Sequence, residues 1–151
     1  MNGFNLDDSL GYIVAKTNFH MKSYFNKLIK KNNLDVTTEQ WVILNAVRQN
    51  PGASQTDLAR ISFKDKTNVT RILDLLVKKG YVTRNIAGKD RRIYSITLTD
   101  SGEDVLEQLI RVAEQANKTF IRDLDHDNYL KFASTLKEIL NSAEKLSSNL
   151  D

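Results

Sequence analysis

The sequence contains no cysteine. That single absence removes disulfides, thiolate metal sites, cysteine nucleophiles and thiol redox switches. Breakers are scarce as well, with one proline and six glycines, so long helices are expected rather than a loop-rich or low-complexity chain. No apolar run exceeds four residues (Tyr12 to Ala15, Trp41 to Leu44), and no transmembrane helix is expected. The start of the chain lacks the basic and apolar stretches of a secretory signal, which points to a cytoplasmic protein. His20 and His126 are the only histidines, and neither belongs to a cluster of metal ligands. Asp123-x-Asp125-x-Asp127 resembles the opening of a calcium loop. However, Asn128 stands where glycine must turn that loop and Ser134 where a carboxylate must close it. No phosphate-cradling glycine motif, G-x-S-x-G elbow or H-E-x-x-H pair occurs. Neither catalysis nor a cofactor is implied.

What is present is an ordinary globular balance, 40% hydrophobic and 27% charged, with an uneven distribution of charge. Residues 60–92 hold ten basic side chains against three acidic ones, whereas residues 100–151 hold eleven acidic against six basic. A basic middle beside an acidic end suits a polyanion-facing module joined to a region that avoids the polyanion.

Hydrophobic spacing predicts a long first helix from Leu10 to about Asn32, with Ile13, Val14, Met21, Phe25 and Leu28 on one stripe. Thr37-Thr38-Glu39-Gln40 reads as a capping box opening a second helix, which Asn50-Pro51-Gly52 stops. Ser54 should cap a short third helix and Asp65 a fourth, running from Lys66 to Lys79 and ended by Gly80. Around Gly88-Lys89-Asp90 the period changes to two, which predicts a hairpin of residues 81–86 and 92–98. Thr99 and Asp125 should cap two final helices.

Three short helices followed by a hairpin make a winged helix-turn-helix, in which the second helix of the turn unit enters the DNA major groove. The expected fold is mostly α (α+β), divided into an N-terminal helix (1–36), a winged domain (37–99) and C-terminal helices (100–151). In the fourth helix Val69, Ile72, Leu73 and Leu76 share one face, which must be the core side. Thr67, Arg71, Asp74 and Lys78 then lie outside with Asn68 and Thr70 on the flanks. Of the helix, Lys66, Thr67, Asn68, Thr70 and Arg71 are the candidate DNA contacts, and Arg and Asn are suited to guanine and adenine edges. Ser54 and Gln55, opening the third helix, are candidates for phosphate contact.

Asp90-Arg91-Arg92-Ile93-Tyr94-Ser95-Ile96-Thr97-Leu98-Thr99-Asp100-Ser101-Gly102 fits the pattern D-x-R-x(5)-L-T-x-x-G of the multiple-antibiotic-resistance regulator (MarR) family, which the chain resembles. Asp65 to Arg71 is similar to that family's recognition-helix entry, and Leu75 to Val82 to its continuation into the wing. The resemblance implies a homodimeric transcription regulator on pseudo-palindromic double-stranded DNA, acting as a repressor. It implies a wing of Lys89, Asp90, Arg91 and Arg92 in which Arg92 reaches the minor groove and Asp90 braces the hairpin. The first and last two helices carry wide apolar stripes that a second copy would cover. Tyr12, Phe19, Tyr24 and Trp41 are candidates to line a pocket for a small aromatic effector. The competing reading is a winged-helix protein-interaction module that does not read DNA sequence.

Overall fold

A computed structural model describes residues 5–86 and 94–149. After a short 3₁₀ turn (Leu6–Asp8), the order is α1 (Leu10–Lys31), α2 (Thr38–Gln49), α3 (Gln55–Ile61), α4 (Lys66–Lys78), β1 (Val82–Ile86), β2 (Tyr94–Leu98), α5 (Asp100–Ile121) and α6 (His126–Ser148). This is the mostly helical winged-helix architecture that the sequence predicts.

Helix starts follow local chemistry. The Thr37 hydroxyl accepts from the Gln40 amide at 3.2 Å while the Gln40 side chain accepts from the Thr37 amide at 3.1 Å. Ser54 and Asp57 repeat this reciprocal box at α3, and Asp65 accepts from the Asn68 amide at 2.7 Å to open α4. Each cap satisfies amides that the first helical turn leaves without partners. Gly80, at φ +73°, ends the α4 turn, and the Tyr81 amide reaches back to the Leu76 carbonyl at 3.0 Å.

β1 and β2 pair antiparallel, Val82 opposite Leu98 and Arg84 opposite Ile96. The loop after α2 extends this sheet: the Gly52 amide donates to the Ile96 carbonyl at 3.1 Å, and the Ile96 amide to the Ala53 carbonyl at 3.3 Å. Thr99 then joins strand to helix. Its hydroxyl donates to the Gly80 carbonyl at 2.6 Å and accepts from the Gly102 amide at 3.0 Å, while its own amide donates to the Tyr81 carbonyl. At Gly102 a β-carbon would lie 2.0 Å from the Tyr81 carbonyl oxygen. The Thr-x-x-Gly segment is thus a structural clasp between the end of α4 and the start of α5.

Contacts divide the chain into Met1–Ala116 and Asn117–Asp151. The first unit has a core of Ile29, Ile43, Leu44, Leu58, Val69, Leu73, Leu76, Val82, Ile96, Leu106 and Leu109. It therefore includes the end of α1 and most of α5 along with the winged domain, because Phe25, Leu28 and Ile29 on one and Val105, Leu106, Leu109 and Val112 on the other are buried. In the second unit α6 has no buried residue. Among the described residues no helix is long and apolar enough to cross a membrane, and no three potential ligands group around a metal position.

Candidate nucleic-acid interface

α4 has two chemically distinct sides. Val69, Ile72, Leu73 and Leu76 are buried, which fixes the helix against the rest of the first unit. Lys66, Thr67 and Arg71 are exposed on the other side, and Asn68 and Thr70 are half-buried at its margins. Arg71 Nη2 lies 3.4 Å from Asn68 Oδ1, a long contact that leaves the guanidinium free to exchange partners.

The flanking polar groups are more committed than their spacing suggests. Thr70 donates its hydroxyl to the Lys66 carbonyl at 2.8 Å and accepts from Gln55 Nε2. Gln55 therefore ties α3 to α4. Ser54 donates both its hydroxyl, at 2.6 Å, and its amide, at 3.1 Å, to Asp57 Oδ2. Those bonds from Ser54 hold the Asp57 carboxyl below the usual aspartate range, with Arg60 adding to them. The cap uses the same donors that a phosphate would need.

The basic side chains also sort into two groups. Arg84 projects from β1 to the same side as Ile96, not to solvent. Its Nη1 lies 2.6 Å from Asp74 Oδ1 and its Nη2 3.5 Å from the Thr70 carbonyl, while its Nε is buried with no hydrogen-bond partner. Asp74, on the outer side of α4, is thereby neutralised. Lys79 bridges Asp35, and Lys64 joins Lys22 on Glu39. The Lys64 side chain is only 16% exposed. The two lysines, Lys22 foremost, hold the Glu39 carboxyl below its ordinary range against a smaller opposing effect of burial. Three of the ten basic side chains in residues 60–92, Lys64, Lys79 and Arg84, are thus each held by an acid on another element of the fold rather than standing free. Alternation hinted at Arg84, which occupies the core-side position between Val82 and Ile86. Nothing local marked Lys64.

Lys89, Asp90, Arg91 and Arg92 lie outside the described residues. The four aromatic candidates for an effector pocket are dispersed along α1 and α2. Phe19 is 68% exposed and meets His20 edge-on at 5.3 Å, while Trp41 packs edge-on against Phe25 at 5.0 Å. Tyr12 and Tyr24 are half-buried, and Lys16 stands 5.3 Å from the Tyr12 ring centre. A surface groove of about 460 Å³ is lined by Phe19, Lys22, Ser23, Asn26, Lys27 and Lys30, and by none of the other three aromatics. The Trp41 indole N–H is buried without a partner.

Comparison with known proteins places this geometry. The MarR family model matches residues 34–93, which span the helix-turn-helix and the first part of the wing. The HTH-type transcriptional regulator SarZ of Staphylococcus saprophyticus is 30% identical over 120 residues, covering 76% of this chain and 81% of that protein. A mutant MarR from E. coli complexed with operator DNA superposes with a TM-score of 0.81 at 25% identity, over 93% of this chain and 99% of the other. The transcriptional repressor CouR bound to a 23-mer DNA duplex gives a TM-score of 0.81 at 26% identity, over 89% and 94% of the two chains.

Proposed function

The chain belongs to the MarR family of DNA-binding transcription regulators, and from that premise we propose a sequence-specific homodimer that represses from a pseudo-palindromic operator. The observation that carries this reading is the outer face of α4. Thr67, Asn68 and Arg71 are presented by a helix whose apolar stripe is fully buried, while the neighbouring Asp74 is neutralised by Arg84.

In this docking Arg71 pairs with a base edge and Asn68 supplies an amide suited to adenine, while Lys66 and Thr67 line the groove entry. Thr70 and Gln55 hold the angle between α3 and α4, with Gln55 and Ser54 at the phosphate side. The D-x-R motif assigns Lys89, Arg91 and Arg92 to the wing, with Arg92 in the minor groove, where a guanidinium senses groove width and potential. Asp90 braces the hairpin. A second copy covers the apolar faces of α1 and α6, which sets the spacing of two recognition helices. The protein acts in the cytoplasm, where its DNA is.

Release follows from a small aromatic effector that favours one spacing of those helices over another, since equal affinity for both shifts nothing. Tyr12, Phe19, Tyr24 and Trp41 are its contacts in this proposal.

Selection of bound sequences from a random DNA pool tests the proposal. Two inverted half-sites about 10 base pairs apart, or a multiple of that, are expected for a two-fold dimer. Retention of the pool without enrichment of any sequence would overturn it.

A further inference from the structure

We propose that Phe63 reads DNA, its ring packing against the methyl group of a thymine at the wall of the major groove that α4 enters. The inference rests on the docking of α4 given above. Phe63 lies in the turn between α3 and α4 with φ +52° and is 81% exposed. A β-carbon is disfavoured in that left-handed region, most of all on a bulky residue. No core packing offsets the strain, because the ring stands in water.

The turn is fixed on both sides of it. The Ser62 hydroxyl donates to the Leu58 carbonyl at 2.6 Å, the Phe63 amide to the Arg60 carbonyl at 3.3 Å and the Lys64 amide to the Ala59 carbonyl at 3.1 Å. Lys64 is turned inward onto Glu39, while Arg60 and Lys66 flank the ring in sequence and are exposed. An exposed aromatic ring thus stands in a fixed turn two residues before the Asp65 cap. In a helix-turn-helix the N-terminal residues of the second helix contact base edges, so the turn before them borders the groove. There a phenyl ring has one specific base-edge partner that needs no hydrogen bond, the thymine methyl. Strain maintained at an exposed position is the pattern expected of a functional contact.

The test compares Phe63→Gly, Phe63→Leu and Arg71→Ala with the wild type on the selected operator, with each thymine in turn replaced by deoxyuridine. Glycine adopts φ +52° freely, so Phe63→Gly should melt at or above the wild-type temperature while binding the operator about five- to tenfold more weakly. Phe63→Leu should retain most of the affinity. Deoxyuridine at one position per half-site should weaken the wild type by a similar factor and leave Phe63→Gly unaffected. If Arg71→Ala binds weakly but Phe63→Gly binds like the wild type, the inference fails and the docking of α4 stands. If both bind like the wild type, the docking fails and takes the inference with it. Weak binding by Phe63→Gly without any deoxyuridine effect on the wild type also overturns the thymine contact.

Discussion

α4 and α6 carry the same kind of pattern and meet different fates. α4 buries its whole stripe of Val69, Ile72, Leu73 and Leu76 within 13 residues. α6 is 23 residues long and buries nothing. Phe132, Leu140 and Leu146 are 61%, 52% and 66% exposed along it. Helical spacing shows that a face requires cover, without showing which chain supplies it. For α4 the cover comes from its own chain, and the consequence is a rigid outer face. For α6 a second copy is the cover proposed here.

Removing one side chain from each helix separates the two cases most sharply. Leu73→Ala should cost about 2–5 kcal/mol of unfolding free energy at any protein concentration, because the residue is fully buried and leaves a cavity. Leu140→Asp should leave helix content nearly unchanged and shift sedimentation equilibrium toward a single chain of 17.2 kDa. A sedimentation mass unchanged by Leu140→Asp would remove α6 from the proposed dimer interface. Gly102→Ala should cost about 1–3 kcal/mol in urea unfolding, since the new methyl meets backbone rather than a movable side chain. Its exposed neighbour Ser101→Ala should change stability by a few tenths at most.

The held and free cations give a finer comparison. Arg84→Ala should cost about 1 kcal/mol of stability. It should also weaken DNA binding at low salt, because Asp74 then faces the phosphates without its partner. Adding Asp74→Asn should restore that binding, and a failure to do so would mean that Arg84 meets DNA directly. Glu39→Gln should have a smaller effect than Arg84→Ala, about 0.5 kcal/mol at neutral pH, since its lysine pairs are partly exposed. Glu39 has a lowered folded pKa. Its contribution is therefore fully present above the ordinary glutamate range and is lost as pH falls through the lowered value. The gap between wild type and Glu39→Gln should narrow in thermal melts as pH falls below the ordinary glutamate range.

These contrasts also mark what sequence could disclose. The Thr37, Ser54, Asp65 and Asp125 caps lie within three residues of the amides they bind. Local rules therefore place every major helix start after α1 to within a residue. The buried stripe of α4 follows from spacing alone. The fate of the basic residues does not. Lys64 is 25 residues from Glu39, Lys79 is 44 from Asp35, and the pairs exist only after packing. The strain at Phe63 was likewise illegible, because a turn in sequence does not disclose the sign of φ. Ser54 illustrates a third difficulty: one hydroxyl can cap a helix or meet a phosphate, and spacing permits both.

The central claim, that the outer face of α4 reads base identity, is most directly tested through Arg71. Binding of wild type and Arg71→Ala should be measured on the selected operator and on operators with each base pair substituted, with thermal melts confirming that both are folded. Arg71→Ala is expected to lose about 1–3 kcal/mol of operator affinity and to become indifferent to base identity at one position in each half-site. Wild-type affinity together with wild-type base preference in the folded variant would contradict the claim and move recognition to another surface.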